Sequence, residues 1–208
     1  MISIIICSRT SEISIELYQN IDKTIGCDYE LIVIDNSRKR YSIFEAYNLG
    51  IDKSLGSFLC FIHEDVLFHT QNWGVLLTSI FESNTKIGLI GVVGAKVKSK
   101  TPSSWWDCNE EDRITNIIQH FTNKEKEVHN YGFDKQQNVE VAVIDGVFMA
   151  LRKDNKIAFE TRLQGFHAYD LNLSFEVIKL GYSIVVTNEI SIELYQNIDK
   201  TIGCDYEL

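Results

Sequence analysis

The sequence predicts a single α/β domain, a mixed and mostly parallel sheet flanked by helices. Three observations predict it. Short apolar runs alternate with helix-period segments through the first half, the pattern of successive β-α-β units. Two of those runs, Leu31 to Ile34 and Phe58 to Ile62, are apolar at every position, and Ile2 to Cys7 is apolar but for Ser3, as expected of strands covered on both faces. The chain has 208 residues, 45% of them hydrophobic, enough for one substantial core.

The elements follow in order. Ile2 to Cys7 reads as a buried strand. Over residues 12–25, Ile13, Leu17, Ile21 and Ile25 share one helical face, and Gly26 supplies the stop. Leu31 to Ile34 is the second buried strand and runs into Asp35-Asn36-Ser37. A helix from Ile43 to Leu55 turns Phe44, Tyr47 and Ile51 inward and closes at Gly56. Phe58 to Ile62 is the third buried strand, ending in His63-Glu64-Asp65. A helix over Asn72 to Glu82 leads to a strand over Ile87 to Val93. Residues 96–138 are polar and hold the one proline and the Trp105-Trp106 pair. They read as loops, with Lys96 to Lys100 a solvated stretch, plus one short helix over Ile114 to Phe121. Val139 to Leu151 has a strand pattern. Asp170 to Leu180 is a helix stopped by Gly181, and Tyr182 to Thr187 is the last strand.

Residues 189–208 repeat residues 12–31 letter for letter. Solenoid repeats drift and recur at least about three times, whereas these are two identical copies at opposite ends. The expectation is one domain over 1–188, followed by a recombined or non-native tail over 189–208.

The net charge of −9 argues against nucleic-acid binding, which needs a basic surface to displace counterions. The five cysteines form no C-x-x-C pair, and Cys7 and Cys60 sit inside apolar runs as small hydrophobes, consistent with a reducing cytoplasm. No apolar run approaches the roughly 18 residues of a membrane span. A cytoplasmic location is expected, with work at the inner face of a membrane still compatible.

Ligands of open α/β sheets bind at the carboxyl ends of the strands. Here all three buried strands end in polar clusters: Ser8-Arg9, Asp35-Asn36-Ser37 and His63-Glu64-Asp65. In an extended segment residues 63 and 65 point the same way, so both can face a hard divalent cation that bridges diphosphate oxygens. The alternative for each cluster is an ordinary solvated strand end.

Residues 2–8, 31–37, 43–65, 87–95, 141–152 and 165–187 together resemble the bacterial family 2 glycosyltransferases of the GT-A fold. The nearest pattern is the subgroup whose metal motif reads His-x-Asp-Val before a Trp, here His63-Glu64-Asp65-Val66 with Trp73 following. Ala46-Tyr47-Asn48-Leu49-Gly50 resembles the family's A-x-N-x-G helix, Ile144-Asp145-Gly146 its acceptor-side turn, and Gly165-Phe166-His167-Ala168-Tyr169-Asp170 the run that opens its late helix. The resemblance covers about residues 1–188. It implies an inverting, metal-dependent transferase with Mn²⁺ or Mg²⁺. The donor would be a UDP- or dTDP-linked sugar and the acceptor a glycan or lipid-linked hydroxyl, in surface polysaccharide or glycan synthesis. It places Ser8, Arg9, Asp35, Asn36, Asn48 and Glu64 on the donor side and Asp65 and His63 at the metal. Asp170 becomes the general base, and Asp145, Gly146, His167, Trp105 and Trp106 line the acceptor side.

Two departures stand out. The family commonly has an acid two places after the base, where this chain has Asn172. It also has a histidine beyond the last strand, where this chain has Leu194 within the repeated segment. A fold that binds nucleotide but has lost turnover is therefore the competing expectation. A sugar nucleotidyltransferase is disfavoured because Ser8-Arg9-Thr10-Ser11-Glu12 carries no glycine for a triphosphate loop. A phosphoacceptor receiver domain would leave residues 130–188 unexplained.

Overall fold

The computed structural model describes residues 1–121 and 125–196. The chain opens with β1 (Ile2–Ser8), α1 (Ile15–Thr24), β2 (Tyr29–Asp35), α2 (Ile43–Lys53) and β3 (Phe58–Ile62), the expected alternation. It continues through β4 (Val66–Phe68), α3 (Trp73–Ser83), β5 (Ile87–Gly91), β6 (Val93–Ala95), β7 (Arg113–Phe121) and β8 (Glu127–Tyr131). The last part comprises β9 (Asn138–Val141), β10 (Val143–Ile144), β11 (Phe148–Arg152), α4 (Tyr169–Lys179), β12 (Ser183–Thr187) and β13 (Ile192–Gln196).

Local chemistry explains the helix boundaries. The Ser14 hydroxyl caps α1 by accepting from the Leu17 N–H at 3.1 Å. α2 begins with a reciprocal capping box: Ser42 accepts from the Glu45 N–H, and the Glu45 carboxylate accepts from the Ser42 N–H at 2.8 Å. Gly26 ends α1 at φ +73, where a side chain would also strike Asn72, so the end of α1 and the start of α3 lie in direct contact.

Seven strands form the main sheet, in the order β2-β1-β3-β11-β5-β12-β9. β1, β2, β3, β5 and β12 run one way, while β11 and β9 run against them. Alternate residues of the buried strands feed two cores. Ile2, Ile4 and Ile6 pack with Leu17, Ile21, Trp73, Leu77 and Phe81, whereas Ile5, Leu59 and Phe61 pack with Phe44, Tyr47 and Leu173. Both faces of β1 and β3 are thus covered, the physical reason for their nearly unbroken apolar runs. β2, expected as a buried strand, instead lies at the sheet edge and is only half-buried over Tyr29 to Val33, with Ile34 alone buried.

The second sheet departs most from expectation. Residues 114–121, read as a short helix, are the strand β7. It pairs antiparallel with β6 and β8 and parallel with β13. Ile114, Thr115, Ile117 and Ile118 are β-branched and suit a pleated strand flanked by neighbours. The run 87–93 divides between the two sheets as β5 and β6, and 139–151 divides into β9, β10 and β11.

The repeated segment takes two structures. Ile15 to Gln19 lies in the helix α1, while its copy Ile192 to Gln196 is the strand β13, held between β7 and β4. Both periods are present in the letters. Spacing of four buries Leu17 and Ile21 in the helix; spacing of two buries Ile190, Ile192 and Leu194 in the strand. The same isoleucine is 75% exposed as Ile15 and fully buried as Ile192. Ile192→Ala is accordingly expected to cost about 2–5 kcal/mol in chemical denaturation, and Ile15→Ala less than about 0.5 kcal/mol. Equal costs would contradict the placement of β13.

Candidate functional site

The carboxyl ends of β1, β2 and β3 lie side by side, because β1 pairs in parallel with both neighbours and Ser8 is in register with Asp35. From β3 the chain passes into His63-Glu64-Asp65. Glu64 ties this turn to the first strand: Ser8 donates to its carboxylate at 2.7 Å, the Arg9 N–H donates at 3.2 Å, and the Arg9 guanidinium pairs with it. Asp35 is exposed beside them. Its carboxylate accepts from the Ser37 N–H at 2.9 Å, and the hydroxyl and N–H of Ser37 hold it below the usual carboxylate range.

Asn36 and Asn48 have structural partners. Asn36 is buried; its amide donates to the Tyr41 carbonyl at 2.9 Å and accepts from the Tyr41 N–H at 3.1 Å, bracing the loop after β2. Asn48 does the same for Phe159, with bonds of 2.8 and 2.9 Å. Asn172, at the family's acidic position, is buried and accepts from the Glu160 N–H at 2.9 Å.

His63 Nδ1 lies 4.0 Å from Asp65 Oδ1. Two ligands at ~2.1 Å from one ion sit at most ~4.2 Å apart, so these two side chains would be able to hold a single divalent cation together. Burial pushes the Asp65 carboxyl above its ordinary value, with His63 and Arg9 acting in the opposite sense. Among the described residues no cluster of three or more His, Cys, Asp or Glu side chains is placed to hold a metal. Backbone bonds anchor the turn: His63 donates to the Val147 carbonyl at 3.3 Å, and the Asp65 carbonyl accepts from Tyr195 in β13 at 2.8 Å. The repeated segment thus braces this motif.

Tyr169 carries no assignment from the sequence, yet it joins the two halves of the site. Its ring is buried against Gly146, where an added Cβ would come within 2.2 Å of the hydroxyl, and that hydroxyl meets His63 Nε2 at 2.7 Å. Holding one ring nitrogen in this way leaves Nδ1 directed at Asp65. The next residue is Asp170. Ala168 precedes the pair in the left-handed region, at φ 61, and turns the chain into α4.

Asp170 occupies the first turn of α4 and accepts from the Leu171 N–H at 2.8 Å. It is no N-cap, since that place belongs to Ala168. Burial pushes its carboxyl up to about 7, with a further push from Asp145 and partial relief from neighbouring N–H groups. Asp145 is itself buried and accepts from Trp105 Nε1 at 2.6 Å and from the Val147 N–H at 2.7 Å. Burial raises its carboxyl as well.

An open cleft of about 710 Å³ lies over Asp170, walled by residues 98–106 on one side and by Phe166 to Leu171 and Phe175 on the other. His167 lines it, exposed. Trp105 is buried and anchors its loop, whereas Trp106 is half-buried. The two indoles border this cleft and also a second cavity of about 40 Å³, which His63 and Asp145 line. Leu194, at the family's histidine position, lines that cavity too. No helix among the described residues is long and apolar enough to cross a membrane.

A family model described as glycosyltransferase-like matches residues 3–202. No curated protein sequence matches the chain. A crystal structure of GalNAc-T7 with UDP, GalNAc and Mn²⁺ superposes with a TM-score of 0.64 at 11% identity, over 94% of this chain and 44% of that one. S. aureus TarS 1–349 in complex with UDP-GlcNAc gives 0.59 at 13% identity, over 99% and 61%. A197 from STIV gives 0.52 at 14%, over 92% and 83%. At these identities the likeness concerns the fold, which is GT-A. The chain spans less than two thirds of the GalNAc-T7 and TarS structures.

Proposed function

Since the chain belongs to the glycosyltransferase-like family, we propose that it transfers a sugar from a UDP- or dTDP-linked donor to a hydroxyl of a glycan or lipid-linked acceptor. The reaction inverts the anomeric centre, uses Mn²⁺ or Mg²⁺, and serves surface polysaccharide or glycan assembly. The observation that carries this reading is the chain of contacts from Asp65 and His63 through Tyr169 to Asp170 at the open cleft. Neighbours of the same fold hold UDP with Mn²⁺ in one case and UDP-GlcNAc in another, which supports a UDP-linked donor.

In this mechanism Asp170 takes the acceptor proton as the hydroxyl oxygen bonds to the anomeric carbon. The bond from that carbon to the diphosphate breaks, and its electron pair leaves with the nucleotide. Asp65 and His63 would hold the cation, which supplies positive charge to the departing diphosphate. Inversion is the outcome the family resemblance implies for Asp170 acting as a base. The neighbouring Asp145 has both carboxylate oxygens engaged by Trp105 and Val147, which suits a supporting carboxylate better than a nucleophile. Ser8, Arg9, Glu64 and Asp35 form the donor side, with Asn36 and Asn48 supporting it from behind.

The test is UDP release across a panel of UDP- and dTDP-sugars with Mn²⁺ and glycan or lipid-linked acceptors. Release with at least one donor is expected. The second reading, a nucleotide-binding protein without turnover, is favoured by Leu194, an apolar side chain at the position where the family offers a ligand. Tight UDP binding with no release from any donor would support it over the first.

A further inference from the structure

The 40 Å³ cavity holds chemistry that the proposed mechanism does not use. β7 presents every second residue to it, Thr115, Ile117 and Gln119, as strand geometry requires. Thr115 is 3% and Gln119 6% exposed. Among the described residues, Thr115 Oγ1 and Gln119 Oε1 make no hydrogen bond to the protein. A buried polar atom without a partner is costly, and native structures keep few of them. Two of them converge here on one cavity, beside His63 and Asp145.

The lining defines what can enter. Gln119 Oε1 and the Asp145 carboxylate accept hydrogen bonds, and the Thr115 hydroxyl can accept or donate. An occupant must therefore bring O–H or N–H groups. Leu194, Val147, Ile117 and the two indoles supply an apolar remainder, and neither Lys nor Arg lines the cavity to balance an anion. A water needs roughly 10–15 Å³, so the space suits one small substituent and excludes a whole sugar ring.

We propose that this cavity receives a hydroxyl-bearing substituent of the donor sugar, with Gln119 and Thr115 as specificity-determining residues that select neutral hexoses over uronic acids. The inference rests on the transferase reading above and names the donor class for it. Its rival is a cavity that holds water alone.

Calorimetry with UDP, neutral UDP-hexoses and UDP-glucuronic acid separates the cases, using wild type, Gln119→Leu and Thr115→Val. In the wild type a neutral UDP-hexose should bind more tightly than UDP or UDP-glucuronic acid. Gln119→Leu should remove about tenfold of that preference with the affinity for bare UDP unchanged. Its melting temperature should be unchanged or higher, because an unsatisfied buried acceptor has gone. Thr115→Val should act in the same direction. If both variants keep the full sugar preference, the cavity is a water site and the inference fails. It also fails if UDP-glucuronic acid binds best. If the wild type binds UDP but gains nothing from any sugar, only this inference falls; if it binds neither UDP nor, in a parallel titration, dTDP, the transferase reading falls with it.

Discussion

Asp170→Asn is expected to lower sugar transfer by about 10²–10⁴-fold, the range for loss of a general base, while UDP binding stays at the wild-type level. An amide keeps the shape of the side chain and its bond from the Leu171 N–H but cannot take a proton. In the wild type the acid limb of kcat/KM should have its midpoint near pH 7, because the Asp170 carboxyl is pushed up to about 7. Below that pH the base is protonated and idle. Asp145→Asn should move the midpoint to lower pH, since it removes a negative neighbour, although its single amide oxygen can keep only one of the two bonds that Trp105 and Val147 donate to the separate carboxylate oxygens.

Stability supplies an independent reading of the same carboxyl. Its folded value lies above the unfolded value of about 3.9, so the folded chain keeps a proton that the unfolded chain has lost. The stabilisation is fully present below about pH 4 and disappears as pH rises to about 7. Asp170→Asn should therefore raise the melting temperature at pH 8 and change it little at pH 4. A variant equally active at pH 7, or a wild-type profile flat between pH 5 and 8, would remove Asp170 from the mechanism.

The second large effect concerns Asp65. In the wild type Mn²⁺ should strengthen UDP binding, and in Asp65→Ala the affinity with Mn²⁺ should fall to the metal-free level. Losing an outer-shell partner already costs roughly 10–100-fold in metal affinity, so losing one of two protein ligands should cost at least as much. His63 alone, held through Nε2 by Tyr169, offers a single nitrogen to an ion that prefers oxygen. Calorimetry giving one UDP affinity for both proteins, with and without Mn²⁺, would rule out the metal role. Melting curves with the metal absent control for folding, because among the described residues the Asp65 side chain makes no hydrogen bond to another element that its removal would break.

The strand ends show how far pattern reading reaches. Buried strands and periodic helices are local, so Ile2 to Cys7, Ile43 to Leu55 and Phe58 to Ile62 declare themselves, and with them the polar turns that follow the strands. What Tyr169 does is not local. Its contact with His63 spans 106 residues, and only the close approach permitted by Gly146 brings it about. Thr115 and Gln119 were hidden for another reason. Their stretch carries apolar residues at spacings that suit a helix as well as a strand, and flanking polar loops favoured the helix. The partners that decide, β6, β8 and β13, lie elsewhere in the chain.

By itself the sequence determined that an α/β sheet with polar carboxyl ends would form, since burial of an apolar run and its period are properties of neighbouring letters. Only the tertiary structure decided which of two secondary structures each repeated segment takes. Residues 15–19 and 192–196 share every side chain, and one becomes helix α1 while the other becomes strand β13. The intrinsic preferences of those five letters cannot differ between the two places. The surroundings do: one copy follows β1 and packs Leu17 and Ile21 beneath the sheet, and the other meets the open edges of β4 and β7. There the backbone hydrogen bonds of two neighbours outweigh a weak helical propensity.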